Sequence, residues 1–317
     1  MQITRGVIQA PIKTVIYGPE GIGKSTLASK FPEPVFIDTE GSTRRMDVSR
    51  LPTPETWTDI LDEVKYVYQH PECCRTLVVD TADWAEILCA EKIFNGQGIE
   101  SPGYGKGYQM LADAFRELLQ ELEKVISAGI HVVVTAHAAM RKFEQPDEMG
   151  AYDRWEMKLQ KKTAPLLKEW ADMVLFCTYK TIVVNVDGQG ATKGKNKAMG
   201  GERVIYTQHH ICWDAKNRFG LAEKLPMEYE SIAHLIGDMP KPKPKWELLK
   251  EKMVADSVEE FDLQNLVGVK GWASSMDPIE NYSDDLIDFL LKDWEKVKTV
   301  IEDIKGKEEI PFEEEKK

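Results

Sequence analysis

The segment from Lys13 to Phe31 constrains the fold more than any other part of the chain. An apolar, β-branched run leads into a glycine-rich turn, and a second apolar run follows the turn. The turn, which begins at Gly18 and ends at Ser25, fits the pattern G-x-x-x-x-G-K-[ST] of a phosphate-binding loop between a strand and a helix. Its glycines allow positive φ angles that turn backbone N–H groups toward one point. The sequence therefore predicts an α/β protein that binds a nucleotide.

Each position of this loop has a predicted role. Backbone amides and the positive end of the following helix would hold the β-phosphate. Lys24 would reach the β- and γ-phosphates, and the Ser25 hydroxyl would ligate Mg²⁺. ATP and Mg²⁺ are the predicted cofactors, although the pattern leaves the choice between ATP and GTP open. The predicted nucleotide-binding residues are Gly18, Pro19, Glu20, Gly21, Ile22, Gly23, Lys24, Ser25 and Thr26.

Polar residues follow three further apolar runs, and ligands gather at the carboxyl ends of strands in open α/β sheets. Asp80, after four residues from Thr76 to Val79, is the predicted second Mg²⁺ ligand. Glu40 is the predicted acceptor of a proton from the attacking water, or else a solvated loop residue. His137 would contact the γ-phosphate. Alternatively, it is a histidine at a strand end whose ring is hydrogen-bonded within the protein. Asp83 is the less favoured alternative to Asp80 as the second Mg²⁺ ligand, because it is predicted to cap the helix over 84–94.

Residues 138–155 mix basic and aromatic side chains with glycine and proline. This composition predicts a flexible segment that contacts single-stranded DNA through phosphates and stacked bases. An ordinary surface loop is the alternative, because acidic residues are interspersed. A helix is predicted over 158–170, and separate strands over 172–179, 181–186 and 203–207. The predicted DNA-binding residues are Arg141, Lys142, Phe143 and Arg154.

The overall charge does not favour nucleic acid as a partner, since the net charge is −12. Basic clusters nevertheless concentrate between Arg141 and Arg218, so that a basic face remains possible. Five cysteines without a Cys-x-x-Cys pair predict reduced thiols, and no apolar run approaches the length of a membrane span. A cytoplasmic protein with no membrane partner is therefore expected.

Composition also predicts the domain organisation. Residues 1–239 would form the nucleotide-binding core, and the alternating prolines and lysines of 240–245 would form a stiff linker. Residues 246–305 would form a small helical region with helices near 246–255, 257–267 and 283–304. Residues 306–317 would be an acidic, disordered tail.

Taken together, four segments resemble the RecA-like ATPases in order and interval: Gly18–Thr26, Phe36–Glu40, Leu77–Asp80 and Thr135–His137. The similarity covers roughly residues 10–222. It points in particular to the phage proteins that keep only the RecA/RadA core, some of which anneal single strands in recombination.

The resemblance implies a RecA-like core with a mostly parallel, doubly wound sheet, and a DNA-stimulated, Mg²⁺-dependent ATPase. It also implies head-to-tail assembly of identical subunits into a ring or filament, in the host cytoplasm if a phage encodes the protein. Glu40 resembles the glutamate that activates water, and His137 resembles a sensor that is often glutamine in recombinases. Residues 138–155 resemble the second DNA-binding loop of these proteins, and residues 95–107 the first.

Such ATPases use a Lys or Arg of the neighbouring subunit to stabilise charge on the γ-phosphoryl group. The resemblance makes Lys216 and Arg218 the candidates here, with Lys195 and Lys197 behind them. The tail is similar to the acidic tip of bacterial single-stranded DNA-binding proteins, although five residues follow Phe312. Such a protein, or a replication protein, is a candidate partner, and a merely solvating tail is the alternative.

Three functions thus remain open from the sequence. The first is an ATPase that anneals or exchanges DNA strands. The second is a helicase- or packaging-type motor. The third is a nucleotide-switched assembly or adaptor protein that does not bind DNA.

Overall fold

The computed structural model describes residues 5–6, 10–144, 150–185, 196–237 and 241–308. The chain divides into two compact units, residues 1–242 and 243–317. This division lies inside the segment that was predicted to be a linker. Within the described residues, no helix is long and apolar enough to cross a membrane.

The first unit is built on a ten-stranded sheet. Its strands are β1 (Lys13–Gly18), β2 (Pro34–Asp38), β3 (Ser49–Arg50), β4 (Thr76–Asp80), β5 (His131–Glu144), β6 (Ala151–Met157), β7 (Met173–Asn185), β8 (Asn196–Tyr206), β9 (Lys216–Asn217) and β10 (Lys224–Pro226). Its helices are α1 (Lys24–Ala28), α2 (Trp57–Gln69), α3 (Ala82–Phe94), α4 (Lys106–Ser127), α5 (Thr163–Trp170) and α6 (Glu230–Ile236).

The order of the main path is β10-β8-β7-β1-β5-β4-β2-β3, and the run from β7 to β3 is parallel. Strands β8 and β10 continue the sheet in antiparallel pairing, while β6 pairs with β5 and β9 with β7. The predicted α/β class with a mostly parallel sheet is confirmed. The phosphate-binding loop leaves β1 in the middle of this sheet.

Both faces of the sheet are covered, which explains the unbroken apolar strands. In β5, Val132 and Val134 belong to a core with helices α2 to α5, whereas Val133 belongs to the opposite core with α1 and α6. Alternate residues of a strand point to opposite faces, so each apolar residue finds a core. The arrangement is doubly wound, as the resemblance implied.

Residues 138–155 are not the flexible loop that was predicted. Strand β5 runs on to Glu144 and pairs in antiparallel register with β6, so that Phe143 lies opposite Tyr152 with their ring centroids 5.5 Å apart. Cross-strand aromatic pairs stabilise such ribbons. Charged residues on both strands concealed the strand pattern in the sequence. Residues 145–149 of this segment lie outside the described residues.

Other boundaries also differ from the predictions. The helix predicted over 158–170 begins only at Thr163, because β6 and its exit occupy the preceding residues. The two strands predicted over 172–179 and 181–186 are one strand, β7, whose pairing with β8 continues past Lys180 through an irregularity in register. Lys195 lies outside the described residues, and Lys197 is an exposed residue of β8.

The second unit is helical, with α7 (Lys245–Ala255), α8 (Glu260–Lys270), α9 (Asp284–Lys292) and α10 (Trp294–Glu308). These helices share a core of their own that includes Leu249, Leu263 and Trp294. The single helix predicted over 283–304 is therefore two helices, separated at Asp293. Helix α10 extends to Glu308, inside the predicted tail, and the rest of the tail lies outside the described residues.

A buried histidine makes the stability of the first unit depend on pH. His131 is 2% exposed, and its Nδ1 accepts a hydrogen bond of 3.0 Å from the backbone N–H of Ile12. Burial, with a smaller contribution from the positive charge of Arg75, lowers the pKa of His131 from 6.5 to about 4. The folded protein therefore favours the neutral ring. This contribution to stability is present above pH 6.5 and is lost as the pH falls toward 4.

We expect the wild-type protein to lose about 3 kcal/mol of unfolding free energy from this residue between pH 7 and pH 4. A His131→Asn variant keeps an acceptor but cannot titrate, so its stability should fall less over the same range. Urea denaturation of both proteins at each pH measures the difference. An equal loss of unfolding free energy in the two proteins between pH 7 and pH 4 would contradict this assignment.

Candidate nucleotide-binding site

A positive φ was predicted for the three glycines of the phosphate-binding loop, Gly18, Gly21 and Gly23. Two of them have it. Gly21 has φ 72° and Gly23 has φ 107°. Gly18 is needed for a different reason, since a Cβ there would lie 2.2 Å from the backbone oxygen of Cys177 on β7. The close approach of β1 to β7 therefore requires glycine at the start of the loop. Helix α1 begins directly after Gly23, at Lys24.

Lys24 is held against the start of its own loop. Its side chain is buried, and its ammonium donates to the carbonyl oxygens of Gly18 at 3.2 Å and Pro19 at 3.1 Å. Burial lowers the pKa of Lys24, an effect that the nearby carboxylate of Asp80 partly offsets. A buried ammonium interacts more strongly with an anion than an exposed one does. Lys24 is thus positioned for phosphate recognition.

Asp80 is the centre of the site. Its carboxylate is fully buried and accepts hydrogen bonds from three hydroxyl groups, those of Ser25 at 2.7 Å, Ser42 at 3.1 Å and Thr135. The two predicted Mg²⁺ ligands, Ser25 and Asp80, are therefore in direct contact. Hydroxyl and carboxylate oxygens are the hard donors that Mg²⁺ prefers, so these residues suit the ion.

A second buried carboxylate shapes the loop that carries Glu40 and Ser42. Asp38 Oδ1 accepts from the amides of Gly41 (2.8 Å) and Ser42 (3.1 Å), and Oδ2 accepts from the amide and hydroxyl of Thr43. Burial alone would raise the pKa of Asp38, but these hydrogen bonds outweigh it and hold the pKa below its usual value. The charged carboxylate therefore fixes the loop at neutral pH.

Glu40 belongs to this fixed loop and lines the cavity. Burial raises the pKa of its carboxyl, while the proximity of His137 opposes the shift. A carboxylate with a raised pKa is a stronger base, as proton abstraction from water requires.

His137 is paired with Asp83, which the sequence analysis considered as a helix cap or as a less favoured Mg²⁺ ligand. Asp83 lies within the first turn of α3, and Thr81 occupies the position before that helix. One Asp83 oxygen accepts from the backbone N–H of His137 at 2.9 Å, and the other lies 2.8 Å from His137 Nδ1. Burial alone would raise the pKa of Asp83, but the hydrogen bonds from His137 leave it lowered. An ionised carboxylate only accepts, so Nδ1 carries the proton of this hydrogen bond.

These groups enclose one cavity of about 300 Å³. The structure thereby brings together Lys24, Ser25, Glu40, Asp80 and His137. The sequence analysis missed Ser42, Met46 and Thr81 as lining residues, and Asp83 as the partner of His137. The cavity is lined by Gly21, Gly23, Lys24, Ser25, Thr26, Glu40, Ser42, Met46, Asp80, Thr81 and His137.

The predicted DNA-binding residues lie on the β5–β6 ribbon, and none of them is among the residues that line this cavity. Arg154 is 8% exposed and forms an ion pair with Asp214, with its guanidinium 5.3 Å from the ring of Phe143. Arg141 donates to the carbonyl oxygen of Leu159 at 2.7 Å. Lys142 is the exposed residue among the four.

The two candidates for action in a neighbouring subunit differ in their surroundings. The Lys216 ammonium donates to the carbonyl oxygens of Lys168, Glu169 and Ala171 at the end of α5. It therefore caps that helix in its own chain. The Arg218 guanidinium forms an ion pair with Asp172 at 2.9 Å, yet its side chain remains 57% exposed.

A parallel sheet with a phosphate-binding loop at the end of its central strand, and an Asp–Ser pair beside that loop, defines a P-loop nucleotide-binding protein. Residues 10–219 match the family AAA_24, described as an AAA domain. The chain belongs to this family, which indicates nucleotide binding and ATPase activity. A search of curated proteins found no significant match.

The Asp83–His137 pair can be tested by replacing Asp83 with Asn. Asn offers one acceptor oxygen instead of two, so either the backbone N–H or the ring N–H of His137 loses its partner. We expect the free energy of unfolding to fall by about 1–3 kcal/mol at pH 7. Turnover of ATP should also fall, because the His137 ring loses its fixed orientation, while nucleotide affinity should persist.

Urea denaturation, phosphate release and nucleotide titration measure these three quantities. An Asp113→Asn variant is the control, since Asp113 is an exposed residue of α4. Unchanged turnover in Asp83→Asn would show that His137 does not depend on this carboxylate.

Proposed function

We propose that the protein is a Mg²⁺-dependent ATPase of the RecA type that acts on single-stranded DNA in phage-type homologous recombination, by annealing or strand exchange. One observation carries the enzymatic part of the proposal. The Ser25 hydroxyl and the Asp80 carboxylate meet at 2.7 Å in a cavity that Lys24, Glu40 and His137 also line. Few functions other than triphosphate hydrolysis require this set of groups together.

The residues divide the work of hydrolysis. The loop amides and Lys24 bind the phosphates, and Ser25 and Asp80 would hold Mg²⁺, which neutralises charge on the β- and γ-phosphoryl groups when bound. Water attacks the γ-phosphorus, the bond to the β-phosphate oxygen breaks, and ADP leaves. Glu40 accepts the proton that the attacking water releases. His137 lines the same cavity and is the proposed contact to the γ-phosphate.

Replacing Glu40 by Gln tests the assignment of the base. The amide keeps the size of the side chain but cannot accept the proton. We expect turnover to fall roughly a hundredfold or more, with nucleotide affinity almost unchanged. In the wild type, turnover should decline as the pH falls through the raised pKa of Glu40, and this decline should be absent from the residual activity of the variant.

Steady-state phosphate release from pH 5 to 8 and nucleotide titration measure both effects. The control is Glu121→Gln, a substitution in an ion pair on the surface of α4. Retention of full turnover by Glu40→Gln would assign the base to another group.

The DNA-binding part of the proposal is supported by a cavity of about 380 Å³ between the β5–β6 ribbon and α5. Four basic residues outnumber two acidic ones around it, and its apolar walls offer surfaces for bases. Arg141 and Lys168 already have partners, so Lys142 and Lys161 are the cations most available to phosphates. The lining residues are Arg141, Lys142, Phe143, Glu156, Met157, Lys161, Ala164, Pro165, Lys168 and Asp214.

Head-to-tail assembly into a ring or filament completes the proposal. Of the two candidates for a contribution in trans, Arg218 is favoured, because the Lys216 ammonium already donates to three carbonyl groups of its own chain. The exposed Arg218 guanidinium could exchange Asp172 for a γ-phosphoryl group of the adjoining subunit.

Binding of labelled oligo-dT, with and without ATP and across a salt series, tests the DNA part. The affinity of wild-type protein should fall steeply as salt rises, because phosphate contacts release counterions. A Lys142→Ala/Lys161→Ala double variant should bind more weakly. The slope of log affinity against log salt should decrease by about 1.4, because each phosphate contact to a single strand contributes about 0.7.

Fluorescence anisotropy measures this binding. The control is Lys124→Ala/Lys296→Ala, which removes the same charge from exposed ion pairs elsewhere. If the wild-type protein fails to bind oligo-dT at low salt, the DNA role is overturned, and a nucleotide-switched adaptor becomes the better description.

A further inference from the structure

One lysine outside the phosphate-binding motif also lies close to the phosphate-binding loop. Lys158 directly follows β6, and its ammonium is 3.9 Å from the carboxylate of Glu20 in the loop. The Lys158 side chain is 55% exposed, and that of Glu20 is 78% exposed.

Backbone pairing brings Lys158 to this position. Gly18, the first residue of the loop, lies opposite His137 in the parallel pairing of β1 with β5. The backbone N–H of Lys158 donates to the carbonyl oxygen of His137 at 2.8 Å, next to the pairing of Ala138 with Met157. Gly18, His137 and Lys158 are therefore linked by register. The backbone of Lys158 is thereby held close to the loop.

The pairing of Lys158 with Glu20 is weak, because both side chains are exposed and 3.9 Å apart. A triphosphate carries several negative charges, whereas Glu20 carries one. A lysine side chain has rotatable bonds enough to reorient its ammonium by several ångströms. A nucleotide in the loop would therefore compete successfully with Glu20 for the ammonium.

We propose that Lys158 contacts the terminal phosphate of the nucleotide bound by its own subunit, as a second cation beside Lys24. This inference rests on the proposed binding of ATP to the loop. It assigns a further nucleotide contact to a residue outside the phosphate-binding motif. Because Lys158 ends the ribbon that borders the basic cavity, the terminal phosphate and a ligand in that cavity would contact the same structural element.

The test compares the affinities of Lys158→Ala for a fluorescent, non-hydrolysable ATP analogue and for the corresponding ADP derivative, both with Mg²⁺ and without DNA. A contact to the terminal phosphate predicts about a tenfold loss of affinity for the triphosphate and less than a twofold loss for the diphosphate. Lys158→Arg keeps the charge and should restore most of the triphosphate affinity.

Lys162→Ala is the matched control. Lys162 is an exposed lysine of the same segment, and its ammonium donates to Gln109 of α4 at 3.1 Å. This variant should bind both nucleotides as the wild type does. Circular dichroism melting confirms that each variant is folded.

The outcomes separate this inference from the function on which it rests. If the wild-type protein binds neither nucleotide, the proposed function fails, and the inference fails with it. If the wild-type protein binds both nucleotides and Lys158→Ala keeps the same ratio of triphosphate to diphosphate affinity, only the inference is overturned. An equal loss of both affinities overturns it as well.

Discussion

The site depends on one buried carboxylate that is satisfied by hydroxyl groups. Asp80 is removed from water at the end of β4, and it joins α1 through Ser25, the loop after β2 through Ser42, and β5 through Thr135. A buried carboxylate without hydrogen-bond partners is costly, so these three donors stabilise Asp80 in its buried position. The same hydrogen bonds fix the relative positions of the elements that enclose the nucleotide cavity.

The motif residues could be predicted because their function is encoded locally. A lysine and a serine at the end of a glycine-rich loop, and an aspartate after a short apolar run, reveal their roles through neighbours in sequence. Asp83 could not be assigned in this way. Its partner, His137, is 54 residues away, and the contact exists because β5 lies beside β4. The short spacing between Asp80 and Asp83 was the available signal, since it leads from the strand end into the first turn of α3.

The differences between the predicted and the observed structure also have a physical origin. The ribbon of β5 and β6 was interpreted as a loop because its charged residues obscure the alternation that marks a strand. Backbone hydrogen bonds and the Phe143–Tyr152 contact stabilise it despite that composition. The resemblance made Lys216 a candidate for action in trans, and in the structure its ammonium donates to the carbonyl groups that end α5. The role of a basic residue thus cannot be assigned from the sequence until the tertiary structure shows which groups it contacts.

The ribbon and the phosphate-binding loop share a second connection besides β5. The Tyr17 hydroxyl, one residue before the loop, donates to the carbonyl oxygen of Asp214 at 2.5 Å. The carboxylate of Asp214 pairs with Arg154 on β6 and with Lys168 on α5. The strand that leads into the nucleotide site and both walls of the basic cavity are therefore anchored to one residue. Asp214 thus links the ribbon and α5 to the residue that precedes the phosphate-binding loop through one hydrogen bond and two ion pairs.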